Sequence, residues 1–165
     1  MYQVRKAKRS SINESQGNTS ALRSLHYYGF GAHKLSDVMG KRFTDVKPCD
    51  IIAGSPKGRY IAIEGKIIKK WCGFNSKVLR PQQRAELDRA TFKTEGRAFI
   101  FLYVRIEKIH FLVVFDWKKY RSILDKGIHI DHMKKKMFGV WLPPKKDKKG
   151  KVIYNIKNLL SKRFK

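Results

Sequence analysis

Pro48-Cys49-Asp50-Ile51-Ile52-Ala53-Gly54-Ser55-Pro56-Lys57-Gly58-Arg59-Tyr60-Ile61-Ala62-Ile63-Glu64-Gly65-Lys66-Ile67-Ile68 is the stretch around which the chain is organised. It reads as two strands around a tight loop. Cys49 to Ala53 is short and apolar apart from its acid. Gly54 to Gly58 is turn chemistry, two glycines bracketing a proline. Arg59 to Ile68 is isoleucine-rich and extended. Side chains alternate along a strand, so Glu64 and Lys66 leave one face about 6.6–7 Å apart, while Ile61, Ile63 and Ile67 enter the core from the other. If the loop pairs Ala53 with Arg59, Asp50 lies opposite Ala62. It then shares a face with Glu64 on a cross-strand diagonal of roughly 7–8 Å. A one-residue slip would turn Asp50 to the wrong face.

Two carboxylates converging from that distance suit a hard divalent cation bound through oxygen. Mg²⁺ is the natural occupant, because it keeps several waters and completes its shell from a phosphate. The Lys66 ammonium, two residues from Glu64, can orient or deprotonate a water beside such a cation. That arrangement is one for metal-assisted phosphodiester hydrolysis. Acids are scarce in this chain, with 13 Asp and Glu against 38 Lys and Arg. One inside an isoleucine strand is therefore not ordinary surface decoration.

Asp50, Glu64 and Lys66 resemble the signature of the PD-(D/E)xK nucleases, with Cys49 between Pro48 and Asp50. Lys57-Gly58-Arg59-Tyr60-Ile61 leading into Glu64-Gly65-Lys66 looks like the RecU-type Holliday junction resolvases. So does Phe74-Asn75 through Pro81-Gln82-Gln83-Arg84, and the archaeal-type resolvases share the layout. The resemblance runs from about Gln16 to Tyr120, is strongest from Asp50 to Leu87, and is absent from the C-terminal tail. It implies a structure-selective endonuclease that resolves four-way junctions in DNA recombination and repair, leaving 5′-phosphates. It also implies Mg²⁺ dependence with Mn²⁺ as a substitute, and a homodimer that nicks two strands symmetrically, matching a two-fold junction. Asp50 and Glu64 would hold the metal. Lys66 would position or activate the water, and Gln83 would support Lys66 or the phosphate. The family's first helix carries a further metal-site glutamate. Glu14 is the candidate here, though it sits slightly early, and Gln16 or Ser20 could take that place. The resemblance also implies a prokaryotic or phage origin and hence a cytoplasmic setting.

The chain has 165 residues and a formal net charge of +25. At 42% hydrophobic it is globular rather than a disordered basic tail. That combination calls for a polyanionic partner, nucleic acid first. A ribosomal or architectural protein fits the charge equally well. No apolar run is long enough for a bilayer, no signal peptide is visible, and Cys49 and Cys72 form no C-x-x-C pair, so no membrane role and a reduced compartment are expected. Candidate DNA contacts are Arg5, Lys6, Lys8 and Arg9 in an N-terminal arm, Lys41 and Arg42 in a polar loop over 36–47, and Lys69, Lys70, Lys77 and Arg80 after the hairpin.

Outward from the hairpin, a helix is expected from Ser15 to Tyr28, ending at Gly29, and a first strand from Phe30 to Leu35. Pro81 to Phe92 reads as a helix with proline near its start. Leu87, Ala90 and Thr91 would form its inner side, with Glu86 and Asp88 as surface partners of Arg84 and Arg89. Arg97 to Arg105 and Ile109 to Phe115 read as a buried hairpin. Asp116 would N-cap a helix from Trp117 to Lys126, closed by Gly127. His129-Ile130-Asp131-His132 has ligand spacing but no fourth partner for zinc. Beyond it the character changes. A nuclease domain over 1–131, with residues 1–13 as a basic arm, would be followed by a basic extension over 132–165. That extension would end in a helix with Ile153, Ile156, Leu159 and Leu160 on one stripe. It could pack on the body, pair with a second subunit or lie on DNA. The element order gives an α/β fold, a restriction-endonuclease-like mixed central sheet flanked by helices. The alternatives in function are another nuclease of this superfamily acting on flaps or ends, and a non-enzymatic nucleic-acid binder.

Overall fold

The structure, a computed structural model, describes residues 13–35, 49–68 and 73–157. Its first helix, α1 (Glu14–Tyr27), is set by its ends. Asn13 and Gln16 form a reciprocal capping box at the start, and Gly29, at φ 80°, turns the chain out of the helix at the other end. The strands β1 (Gly31–Lys34), β2 (Ile51–Gly54) and β3 (Tyr60–Ile68) follow as an antiparallel meander. A short 3₁₀ turn over Ser76–Val78 leads into α2 (Pro81–Asp88), whose last residues run on as a π-helical turn, Arg89–Lys93. The chain then crosses to β4 (Arg97–Ile106), which lies parallel to β3, and returns antiparallel as β5 (Ile109–Asp116). Asp116 caps α3 (Trp117–Lys126) by accepting from the Lys118 N–H, and Gly127 ends it at φ 92°. This is the expected α/β class: helix, three-stranded meander, helix, then a parallel fourth strand.

The main sheet has six strands in the order β1-β2-β3-β4-β5-β6, the last being β6 (Val140–Leu142). Alternation splits its side chains into two cores. Ile51, Ile61, Ile63, Phe99, Phe101 and Val114 pack beneath α1 through Ala21 and Leu25. Ala62, Ile100, Leu102, Val113 and Phe115 pack beneath α2 and α3 through Leu87, Ala90, Trp117 and Leu124. Each fully buried large apolar side chain contributes about 1.5–3 kcal/mol. β4 is buried on both faces, which explains its unbroken apolar run.

Three expectations are corrected. The segment from 152 to 157 is not helical: β7 (Pro144–Lys146) and β8 (Val152–Tyr154) form a two-stranded hairpin. Ile156 and Tyr154 enter the α1-side core, and β6 completes the main sheet. Leu159 and Leu160 lie outside the described residues. Asp88 pairs not with Arg84 but with Arg121 and the Trp117 indole N–H, while Arg84 pairs with Asp125. Glu86 does pair with Arg89, but it is nearly buried and also accepts from the Tyr60 hydroxyl. A short helix, α4 (Ile130–Lys134), is capped by His129. His129 and Asp131 face each other in a largely exposed pair, a capping arrangement rather than a metal cage.

Candidate active site

The hairpin pairs Gly54 with Tyr60 and Ile51 with Ile63, so Ala53 lies opposite Ile61 rather than Arg59. The Ser55 turn sets this register: its N–H donates to the Arg59 carbonyl, and its hydroxyl accepts from the N–H groups of Lys57 and Arg59. The difference amounts to two residues along the partner strand, so facing is preserved. Asp50 immediately precedes the Ile51–Ile63 pair, and its charge lies close enough to act on Glu64. Its N–H donates to the Ile63 carbonyl at 3.0 Å, its carbonyl accepts from Leu35 N–H at 2.8 Å, and its Oδ2 accepts from Gly65 N–H at 2.8 Å. Asp50 is thus tied to both neighbouring strands through backbone.

Glu64 is fully buried, on the α2 side of the sheet. Three elements meet at its carboxylate. Lys66, two residues on and on the same face, donates from Nζ to Oε1 at 2.6 Å. Gln83 on α2 donates from Nε2 to that same Oε1. The orientation of the Gln83 amide is fixed by its place at the third helical position, where its Oε1 accepts the Arg80 N–H at 2.9 Å and leaves Nε2 facing Glu64. Glu14, the first residue of α1, brings Oε1 to 4.0 Å from the Lys66 Nζ. Gln16 is occupied in the capping box, so Glu14 is the first-helix acid that reaches this centre.

The other Glu64 oxygen, Oε2, is buried with no hydrogen-bond partner. A buried carboxylate oxygen left without a donor is costly. Burial first, and then the neighbouring Asp50 charge, push the Glu64 carboxyl up from 4.5 to about 7, with Lys66 pulling the other way. A divalent cation would supply what this atom lacks, and would relieve the repulsion between Glu64 and Asp50. The donor set of two carboxylates fits Mg²⁺ or Mn²⁺, which need only one or two from the protein. Among the described residues no three His, Cys, Asp or Glu side chains gather closely enough to hold a metal. Glu14 accordingly meets the centre through Lys66. Cys49, beside Asp50, is a buried thiol whose pKa burial pushes up to about 12, so it is an inert core residue.

Two residues that the sequence reading left aside complete the centre. Asn18, one turn after Glu14, is buried and accepts from the Tyr103 hydroxyl at 2.7 Å. A β-carbon on Gly65 would stand 2.0 Å from Asn18 Oδ1, so this glycine is what lets α1 close onto the strand between Glu64 and Lys66. The available signal was Gly65 itself: glycine inside a strand marks close approach. Of the expected DNA contacts, Lys77 and Arg80 are exposed on the approach to α2. Arg5, Lys6, Lys8, Arg9, Lys41, Arg42, Lys69 and Lys70 lie outside the described residues. No helix among the described residues is long and apolar enough to cross a membrane.

No family model matches the chain, and no curated protein does. Among solved structures, the chain is similar to the Holliday junction resolvase Hjc of the archaeal hyperthermophile Archaeoglobus fulgidus. The identity is 22% over 71% of this chain and 94% of that one, with a TM-score of 0.43.

Proposed function

We propose that the protein is a metal-dependent DNA endonuclease and that its substrate is the four-way junction. The observation that carries the reading is the Glu64 carboxylate: one oxygen held by Lys66 and Gln83, the other buried and unpaired, with the Asp50 charge beside it. A protein gains nothing in stability from such an oxygen; a cation site does. The net charge of +25 supplies the affinity for a phosphate backbone. The motif resemblance from Asp50 to Leu87 supports the junction as substrate.

In this reading Glu64 and Asp50 would hold Mg²⁺, whose chemistry there would be Lewis-acid stabilisation of charge on the scissile phosphate. Gln83 fixes Glu64 in one rotamer, so that its unpaired oxygen keeps one direction. Lys66 sits between the Glu64 and Glu14 carboxylates, placed to hold the attacking water and to receive or return its proton. Asp50 is kept beside Glu64 by the Gly65 N–H. Contacts to phosphate rather than to bases give selection by shape and a steep dependence on salt.

The test is a labelled four-way junction incubated with the protein, with and without Mg²⁺ or Mn²⁺, beside a flap and a linear duplex. Paired symmetric nicks ending in 5′-phosphate, present only with the metal and preferred on the junction, are expected. Preferential cutting of the flap or of duplex ends would transfer the protein to a replication or repair role. Binding without cutting in any metal would make it a binder.

A further inference from the structure

The basic run Lys145 to Lys151 is not a tail. It is the turn of the β7–β8 hairpin, and this turn is built to be stiff. Asp147 accepts the N–H groups of Lys149 and Lys151 on one carboxylate oxygen at 2.9 and 2.8 Å. The Asp147 N–H donates to the Lys151 carbonyl, the Asp147 carbonyl accepts from the Gly150 N–H, and Gly150 turns the chain at φ 71°. The only acid of the run is therefore committed to the backbone. Five lysines, Lys145, Lys146, Lys148, Lys149 and Lys151, remain around it, all exposed.

The hairpin is bolted to α1. Arg23 donates to the Val152 carbonyl at 3.1 Å, and Tyr154 donates its N–H to the Ser24 hydroxyl at 2.9 Å. Tyr154 and Ile156 lie in the core beneath. A cleft of about 390 Å³ opens between the two elements, lined by Arg23, His26, Tyr27, Lys148, Lys149 and Lys151, together with Asp147. Arg23, Tyr27, Lys148, Lys149 and Lys151 can each donate a hydrogen bond to an anion, whereas the His26 Nε2–H serves the Ala32 carbonyl and Asp147 serves the turn. The cleft lies at the far end of the helix whose first residue, Glu14, faces Lys66. Fourteen helical residues at about 1.5 Å each put it roughly 20 Å from the catalytic centre.

We propose that this cleft is a second DNA site, which holds the phosphate backbone of a duplex arm away from the cleaved bond. The inference rests on the endonuclease reading and extends it. The chemistry recognised is a row of phosphates. A rigid turn presents its ammonium groups without the ordering cost of a disordered basic segment. At about 3.4 Å per step, 20 Å corresponds to roughly six base pairs. Arms shorter than that cannot span from the cleaved bond to the lysines.

Affinity for junctions of graded arm length is measured in a chelator, so that nothing is cut, for the wild type and for the triple variant Lys148→Gln, Lys149→Gln, Lys151→Gln. A control variant, Lys118→Gln, Lys119→Gln, Lys126→Gln, removes the same charge from α3. The hairpin variant should bind arms of 12 base pairs at least tenfold more weakly than the wild type, with a salt slope shallower by about two to three. The deficit should vanish for arms below about six base pairs, and the α3 control should stay within twofold of the wild type. On the unaltered protein, long-armed junctions should protect Lys148, Lys149 and Lys151 from acetylation, read by mass spectrometry. Equal losses in both variants, no protection, or a deficit independent of arm length would overturn the inference. So would binding of anionic vesicles through these lysines with DNA affinity intact. A wild type that cuts junctions while the hairpin variant binds like it refutes this site alone. A wild type that binds no DNA refutes the endonuclease reading as well.

Discussion

Two hairpins pack against α1, and they teach different lessons. The β2–β3 hairpin is written in alternation: isoleucines face one core, Glu64 and Lys66 share the other side, and Asp50 is tied beside them to the Gly65 N–H. The β7–β8 hairpin is written in a pattern that also suits a helix. Ile153 and Ile156 stand three apart, which is helical spacing, yet the chain uses them from a strand and from the residues after it. Three residues are too few for either periodicity to declare itself. What decided the outcome is non-local: the Ser24 hydroxyl and the Arg23 guanidinium on α1 take up the strand's N–H and carbonyl. The first hairpin carries its own specification, whereas the second borrows it from the body.

The sharpest way to break this comparison is at the first hairpin's polar face. Asp50→Asn, Glu64→Gln and Lys66→Ala should each lower junction cleavage by roughly 10²-fold or more, the loss associated with removing a preorganised charged group. Junction affinity in a chelator should stay near that of the wild type. Any one of them cutting at the normal rate would remove that residue from the mechanism. Gln83→Ala acts through Glu64 and should cost about 10–100-fold in rate. As a positioning effect it should be partly recovered by raising Mg²⁺, which a merely structural loss would not be.

The second hairpin is tested by stability instead. Ile156 is fully buried in the α1-side core. Ile156→Ala should lower the unfolding free energy by about 2–5 kcal/mol, in one transition with the rest of the protein. A separate basic extension would instead leave the main transition where it was. A denaturation curve monitored at both tryptophan fluorescence and far-ultraviolet dichroism distinguishes the two.

Much of the first hairpin's polar face was legible before any coordinates, because period-2 alternation needs only local sequence. Asp50, Glu64 and Lys66 follow from it, and Gln83 from its motif. The register was misjudged by two residues, because Ser55 folds the turn with its own hydroxyl, and the error preserved facing. Asn18 and Tyr103 were not legible. Asn18 is a polar residue on a helix, and nothing local distinguishes a buried amide from a solvated one; its partner lies 85 positions away. Gly65 is the point where the two regions can be compared directly. Gly65→Ala drives a β-carbon into Asn18 and should cost about 1–3 kcal/mol as overpacking. Adding Asn18→Ala makes room but strands the Tyr103 hydroxyl, so recovery should be incomplete. Thermal unfolding of the two single variants and the double variant gives the coupling.

The pH response is the effect most specific to the site. With its carboxyl raised to about 7, folded Glu64 holds a proton that the unfolded chain has already released from its ordinary value of 4.5. Between those two points the folded state binds more protons, so this group's contribution is whole below the lower value and lost as pH climbs through the upper one. In a chelator, wild-type stability relative to Glu64→Gln should therefore fall from pH 5 to pH 8, by about 2 kcal/mol. Mg²⁺ should flatten that slope, because a cation at the carboxylate favours its ionised form and displaces the proton. The Gln variant has no proton to release and should show no such response. If Mg²⁺ leaves the wild-type slope untouched while junction cutting still requires the metal, Glu64 is a buried acid near the chemistry and not the group that holds the ion.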